Sequence, residues 1–120
     1  MFTKKQISGQ LGENAAAAFL RKKGYEIIER NFRTRTGEID IIAIDKDTLA
    51  FVEVKARYSD EFGSPLEAIT YWKLKSLIRT AQFYKLKHPE LPELMRIDAV
   101  AITLDKNNEI VTIDLAKNIS

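Results

Sequence analysis

The residues of this chain that could do chemistry gather between positions 37 and 57. There, in GEIDIIAIDKDTLAFVEVKAR, Glu38, Asp40, Glu53, Lys55 and Arg57 interrupt two runs otherwise rich in Ile, Val, Ala and Phe. Such runs read as strands of a buried sheet, where an ionised carboxylate is costly unless a partner compensates it. With the chain turning at Lys46 and Asp47, Ile42 faces Phe51, Ile41 faces Val52, Asp40 faces Glu53 and Glu38 faces Lys55. Directly opposed residues bring their Cβ atoms within about 4.5–5.5 Å, so Asp40 and Glu53 would be like charges held together. A divalent cation between them resolves the conflict. Mg2+, or Mn2+ in its place, takes hard oxygen ligands and is commonly held by one or two carboxylates with water and phosphate. Lys55 projects from the same face as Glu53, where its ammonium could orient or activate an attacking water or offset charge on a phosphate. Phosphodiester hydrolysis is the reaction class that needs these parts. The plainer reading is a solvated strand face with a weak Glu53–Lys55 ion pair. Asp40 at the opposed position, an apolar reverse face and basic flanking segments favour the site.

The elements that must position these residues can be read outward from the hairpin. Gly37 to Asp45 and Leu49 to Ala56 read as its two strands, joined by the turn-forming DKDT. One face of the pair, Ile39, Ile41, Ala43, Ala50, Val52 and Val54, is wholly apolar and requires cover from a helix. The other is apolar near the turn, at Ile42, Ile44 and Phe51, and charged at its far end. Upstream, Ile7, Leu11, Ala15, Ala18 and Phe19 recur at helical spacing between about Gln6 and Lys23, closed by KKG. YEIIERNFR then reads as a strand. Downstream, Ser64, Pro65 and Glu67 suit a capped helical turn. Leu74, Leu77, Ile78, Ala81 and Tyr84 predict a long amphipathic helix from Trp72 to a stop before Pro89. MRIDAVAITL and EIVTIDL read as two further strands around DKNN. The order is α-β-β-β-α-β-β, an α/β mixed sheet flanked by helices.

At 120 residues the chain fits one domain, 1–120. It has no cysteine, which excludes disulfides, thiolate metal sites and thiol catalysis and fits a cytoplasmic protein. The N-terminal residues carry no apolar core of a signal segment, and no run is long enough to span a membrane. The net charge of +2 is small but unevenly spread. Residues 1–36 carry eight Lys or Arg against three acids, 37–70 three against eight, and 71–88 five against none. An acidic segment between two basic ones suits a metal site flanked by phosphate-binding surfaces.

Asp40 on one strand, then Glu53-x-Lys55 on the next, after an N-terminal helix, resembles the PD-(D/E)xK nuclease superfamily with its restriction-endonuclease-like fold. More closely, GQLGENAAAAFLRKKGYEIIERNFRTRTGEIDIIAIDKDTLAFVEVKAR, with GSPLEAI and RIDAVAI later, resembles the YraN-like family of predicted endonucleases, itself similar in layout to archaeal Holliday junction resolvases. The resemblance implies that Asp40 and Glu53 are metal ligands and that Lys55 is the catalytic lysine. It also implies that Glu13 on the first helix assists catalysis at the metal site as a further metal ligand. The superfamily's proline before the aspartate is Ile39 here. Read by itself, Glu13 near a helix start suits a dipole-favouring surface residue. Glu38 is either a further ligand or the partner of Lys55, and Asp98 is expected to pair with Arg96 or to sit at a strand end rather than to bind metal. Symmetric cleavage of a junction needs two sites, so the resemblance also implies a homodimer.

Arg30, Arg33 and Arg35 are expected in a loop beside Asp40, with Arg57 following the next strand; such cations hold phosphates without reading sequence. Lys73, Lys75 and Arg79 are a second candidate surface for DNA, against which stands a plain solubilising helix face. His88 is expected to be a capping cation. Phe62, Tyr71 and Trp72 could stack on unpaired bases, or pack in a core or interface. Three functions compete: an endonuclease acting on a structural feature of DNA, a non-catalytic nucleic-acid-binding or assembly module that keeps the nuclease fold, and a structural partner protein. Intact Asp40, Glu53 and Lys55 favour the first.

Overall fold

The computed structural model describes residues 2–59, 63 and 65–120, without the side chains of Lys4, Lys5 and Ile7. The expected roles of Phe62 and Ser64 lie outside the described residues. Helix α1, Lys4–Lys22, starts two residues earlier than its apolar pattern suggests, because Thr3 and Gln6 form a capping box. Three antiparallel strands follow: β1 (Glu26–Thr34), β2 (Gly37–Asp45) and β3 (Thr48–Tyr58). A 3-10 turn at Pro65–Ala68 and helix α2, Tyr71–Lys87, carry the chain to β4 (Leu94–Leu104), parallel to β3, and β5 (Ile110–Ala116) closes the sheet. The sheet order is β1-β2-β3-β4-β5. The expected α-β-β-β-α-β-β order and mixed sheet are thus present.

One helix covers each face. Leu20 of α1 packs with Ile41, Ala43, Val52 and Val100 on one face; Leu77 and Tyr84 of α2 pack with Ile42, Leu49 and Phe51 on the other. The stripe by which α1 docks differs from the expected one. Ser8, Gly12, Ala16, Ala17 and Leu20 are buried, whereas Leu11 and Ala18 are exposed. Small residues win because the helix comes very close to the sheet: a Cβ added at Gly12 would sit 2.6 Å from the Cβ of Ala56.

The register near the hairpin turn is the expected one, from Asp45–Thr48 to Ile41–Val52. Beyond that the sheet forks. β2 stays paired with β1 down to Thr34–Gly37, and β3 stays paired with β4 up to Tyr58–Leu104. Instead of facing Glu53 across a continuing ladder, Asp40 turns its carboxylate onto the backbone N–H of Val54, 2.7 Å away. The alternation of β2 breaks at the same place. Ile41 and Ala43 pack under α1, but Ile39 joins the cluster under α2 rather than the apolar face expected for it. On the neighbouring strand Asn31, with φ of 56°, lies between the pairs Arg30–Ile41 and Phe32–Ile39. The ladder runs without a shift through Asn31, and the irregularity of the β1–β2 register lies between Ile27 and Glu29.

Candidate active site

The fork gathers the acids that the sequence singles out. Glu53 is 2% exposed on the buried stretch of β3, close enough to Asp40 for its charge to act on the Asp40 carboxyl. Burial first, then the charge and hydrogen bond of Glu53, push the pKa of Asp40 up to about 7, with the Val54 amide working the other way. Two ammonium groups sit against the pair: Lys55 Nζ lies 3.8 Å and Lys73 Nζ 3.4 Å from Glu53 Oε2. Lys55 comes from the same strand and Lys73 from the first turn of α2, so both helix-covered layers contribute.

Glu13 reaches the region from α1. Its Oε1 accepts hydrogen bonds from Arg30 Nε and Asn31 Nδ2, each at 3.0 Å, which makes it a held carboxylate rather than a free surface acid. Glu13, Asn31, Glu38 and Asp40 line one polar cleft of about 420 Å3 with Gln6 and Gln10. Glu38 bonds Arg33 at 2.8 Å, so its partner is Arg33 and not Lys55.

The cations expected around the site fall in different places. Arg30 and Arg33 are on β1 rather than in a loop, and both are engaged, with Glu13 and Glu38 respectively. Arg35 is exposed in the β1–β2 turn, and Arg57 is half-buried near the end of β3. Lys73 has left the solvated helix face to join Glu53. A faint signal for this was present: α2 has no acid in its first turn, and a lysine there opposes the helix dipole, which calls for another reason to be in place. Asn31 and Gln10 carried no signal that composition or spacing could supply. Tyr71 and Trp72 are exposed rather than packed in the core. His88 caps α2, its backbone N–H bonded to the Lys85 carbonyl, and its ring stacks on Tyr84 with centroids 4.2 Å apart.

Two carboxyls pressed together need a shared proton or a cation. The donor set suits a hard divalent ion, which commonly takes only one or two protein carboxylates and fills its shell with water and phosphate oxygens. Among the described residues no three His, Asp or Glu side chains form a group that could hold an ion, so Glu13, bonded to Arg30 and Asn31, does not complete a three-carboxylate set with Asp40 and Glu53, and an ion here would have that pair alone as its protein ligands.

These features define a class: an α/β protein whose mixed sheet opens between its second and third strands to present a carboxylate pair flanked by lysines. The chain belongs to the YraN-like family, described as uncharacterised protein family UPF0102, whose model matches residues 12–102. Similar relatives include a UPF0102 protein of Caldicellulosiruptor saccharolyticus, 44% identical over 95% of this chain and 97% of the relative. Another, from Persephonella marina, is 46% identical over 87% of each chain. A third, from Clostridium acetobutylicum, is 40% identical over 92% of this chain and 91% of the relative.

Proposed function

We propose that this protein is a metal-dependent endonuclease that hydrolyses DNA phosphodiester bonds and selects branched or junction DNA by shape. The observation that carries this reading is the buried Glu53 carboxylate with two lysine ammonium groups within 3.8 Å, beside an Asp40 whose carboxyl feels its charge. Asp40 and Glu53 would hold Mg2+ or Mn2+, which when bound supplies an activated water and polarises a phosphoryl oxygen. Lys55 stands where its ammonium can offset charge gathering on the phosphate in the transition state. Lys73 fixes Glu53 from α2 and carries a second positive charge for the phosphate. Glu13, held by Arg30 and Asn31, keeps a third carboxylate at the edge of the cleft that Asp40 lines. Arg33, Arg35 and Arg57 supply backbone contacts to the polymer. A chain of 120 residues has little surface left for reading bases, which favours shape over sequence. Symmetric cutting of a junction would take two such sites, hence a homodimer.

The test is cleavage of single-stranded, duplex, flap and four-way-junction DNA with Mg2+ or Mn2+. Asp40→Asn and Lys55→Ala are each expected to lower the rate by about 10²-fold or more while binding persists. Cleavage surviving both substitutions would refute the site, and binding without cleavage on every substrate would make the protein a non-catalytic module.

A further inference from the structure

Trp72 is the chain's single tryptophan, and it is 76% exposed, with Tyr71 beside it at 63%. Single exposed apolar side chains are ordinary, whereas contiguous ones can mark an interaction surface. The two rings meet edge to face, with centroids 5.3 Å apart and planes at 75°. Their surroundings are cationic. Lys75 Nζ lies 5.2 Å above the Tyr71 ring, and one to three turns along α2 a shallow groove of about 180 Å3 is lined by Lys75, Ile78, Arg79 and Gln82. Helix α2 has no acidic residue anywhere in its length. Trp72 is also the immediate neighbour of Lys73, which touches Glu53.

We propose that the outward face of α2 is a track for unpaired DNA, in which Trp72 and Tyr71 stack on bases and Lys75 and Arg79 hold the phosphates that follow. The inference rests on the reading of the protein as a DNA-acting enzyme and names the feature of DNA it selects. Sequence-tolerant single-strand binding combines these two parts, aromatic faces for bases and a cationic groove for the backbone. A duplex offers the aromatics nothing, because its bases are stacked on one another. A flap or branch offers them unpaired bases, and the adjoining Lys73 then brings the neighbouring phosphates towards the carboxylate pair. Selectivity for branched DNA follows from this juxtaposition without any base being read.

The solitary tryptophan supplies the measurement. In EDTA, so that no cleavage intervenes, an oligothymidine of about 15 nucleotides, near the upper site size of such surfaces, is expected to quench Trp72 fluorescence. A blunt duplex of the same length is expected to leave it unchanged. By anisotropy of a labelled oligothymidine, Trp72→Leu is expected to bind roughly five- to a hundred-fold more weakly, the range for losing one stacked base. Its melting temperature should stay at the wild-type value, since the ring is exposed. Lys75→Gln with Arg79→Gln should flatten the slope of log affinity against log salt by about 1.4, at roughly 0.7 per phosphate contact on a single strand. Unquenched fluorescence, or equal affinity of Trp72→Leu and wild type, overturns the proposal; so does a Trp72→Leu protein that changes oligomeric state instead, which would assign the aromatics to a contact between copies. Asp40-dependent cleavage without quenching would reject the track and leave the endonuclease standing. Quenching without cleavage on any substrate would do the reverse.

Discussion

Asp40 is the residue at which burial, repulsion and hydrogen bonding meet, and its titration has a sign that can be worked out. Its pKa rises from the ordinary 3.8 to about 7 in the folded chain, from burial first and Glu53 second. Between those values the folded protein keeps a proton that the unfolded chain releases, so stability falls as pH rises from about 4 to about 7 and levels off above. Asn at position 40 removes both the titration and the repulsion. Asp40→Asn in EDTA is therefore expected to be about 1–2 kcal/mol more stable than the wild type above pH 7 by urea unfolding, with a flatter pH profile. A wild-type stability that climbs through that window would show the two carboxyls not to oppose each other. That Asp40, Glu53 and Lys55 come near one another was legible from residue type and hairpin spacing. The way Asp40 approaches Glu53 was not, because the β2–β3 ladder ends at Ile41–Val52 and a forked sheet leaves no period in the sequence.

Elements were legible where local chemistry and pattern agree. DKDT between two β-branched runs placed β2 at Gly37–Asp45, the bounds the structure has. Helix α1 was legible as a helix but not in its buried face, since ranking residues by hydrophobicity selects Leu11 and Ala18 over Ser8 and Gly12. What decides is distance from the sheet, and two glycines of α1 separate the effects. At Gly9 an added Cβ meets nothing within 4 Å, so Gly9→Ala should gain up to about 1 kcal/mol from helix propensity. At Gly12 the same methyl meets the Ala56 Cβ at 2.6 Å, and a Cβ, fixed to its backbone, cannot swing away as the end of a flexible side chain would. Overpacking of about 1–3 kcal/mol then outweighs the propensity gain, and Gly12→Ala should be less stable than the wild type. Urea midpoints moving in opposite directions for the two variants is the expected result. A stabilised Gly12→Ala protein would mean that α1 can lift from β3 at little cost. Such a lift would also shift Glu13, the next residue, relative to Asp40.

At the scale of the whole molecule, a second charged cluster at the hairpin-turn end of the sheet ties distant segments together. Arg96 on β4 bonds Asp98 through Nε at 2.8 Å and Asp45, at the end of β2, through Nη2 at 2.8 Å. Tyr25, just after α1, donates its hydroxyl to Asp98 at 2.8 Å. The chain after β5 closes on the same group: Lys117 Nζ reaches Asp45 at 3.1 Å and the Asn118 N–H reaches Asp98 at 2.9 Å. The sequence showed the Arg96–Asp98 pair, two residues apart on one strand, but not that residues 25, 45 and 117 converge on it. Those links join segments far apart in the chain, which only the sheet order brings together. Two acids and two cations in contact are close to neutral, and Asp98 is fully buried. Replacing Arg96 by Leu leaves that buried acid without its main counter-charge, a loss of about 3–5 kcal/mol when one partner of a buried pair is removed. The double variant Arg96→Leu with Asp98→Asn should recover at least about 1 kcal/mol of it, because no charge is then stranded, and urea unfolding of the four proteins in the cycle measures that coupling. Hydrogen exchange reads the same event locally. The amides of Asn118 and Ile119, bonded to Asp98 and to the Ile97 carbonyl, should lose protection in Arg96→Leu ahead of the paired amides of β3. A loss below about 1 kcal/mol, with those two amides still protected, would place the cluster among weak surface ion pairs and leave the end of the chain held by β5 alone.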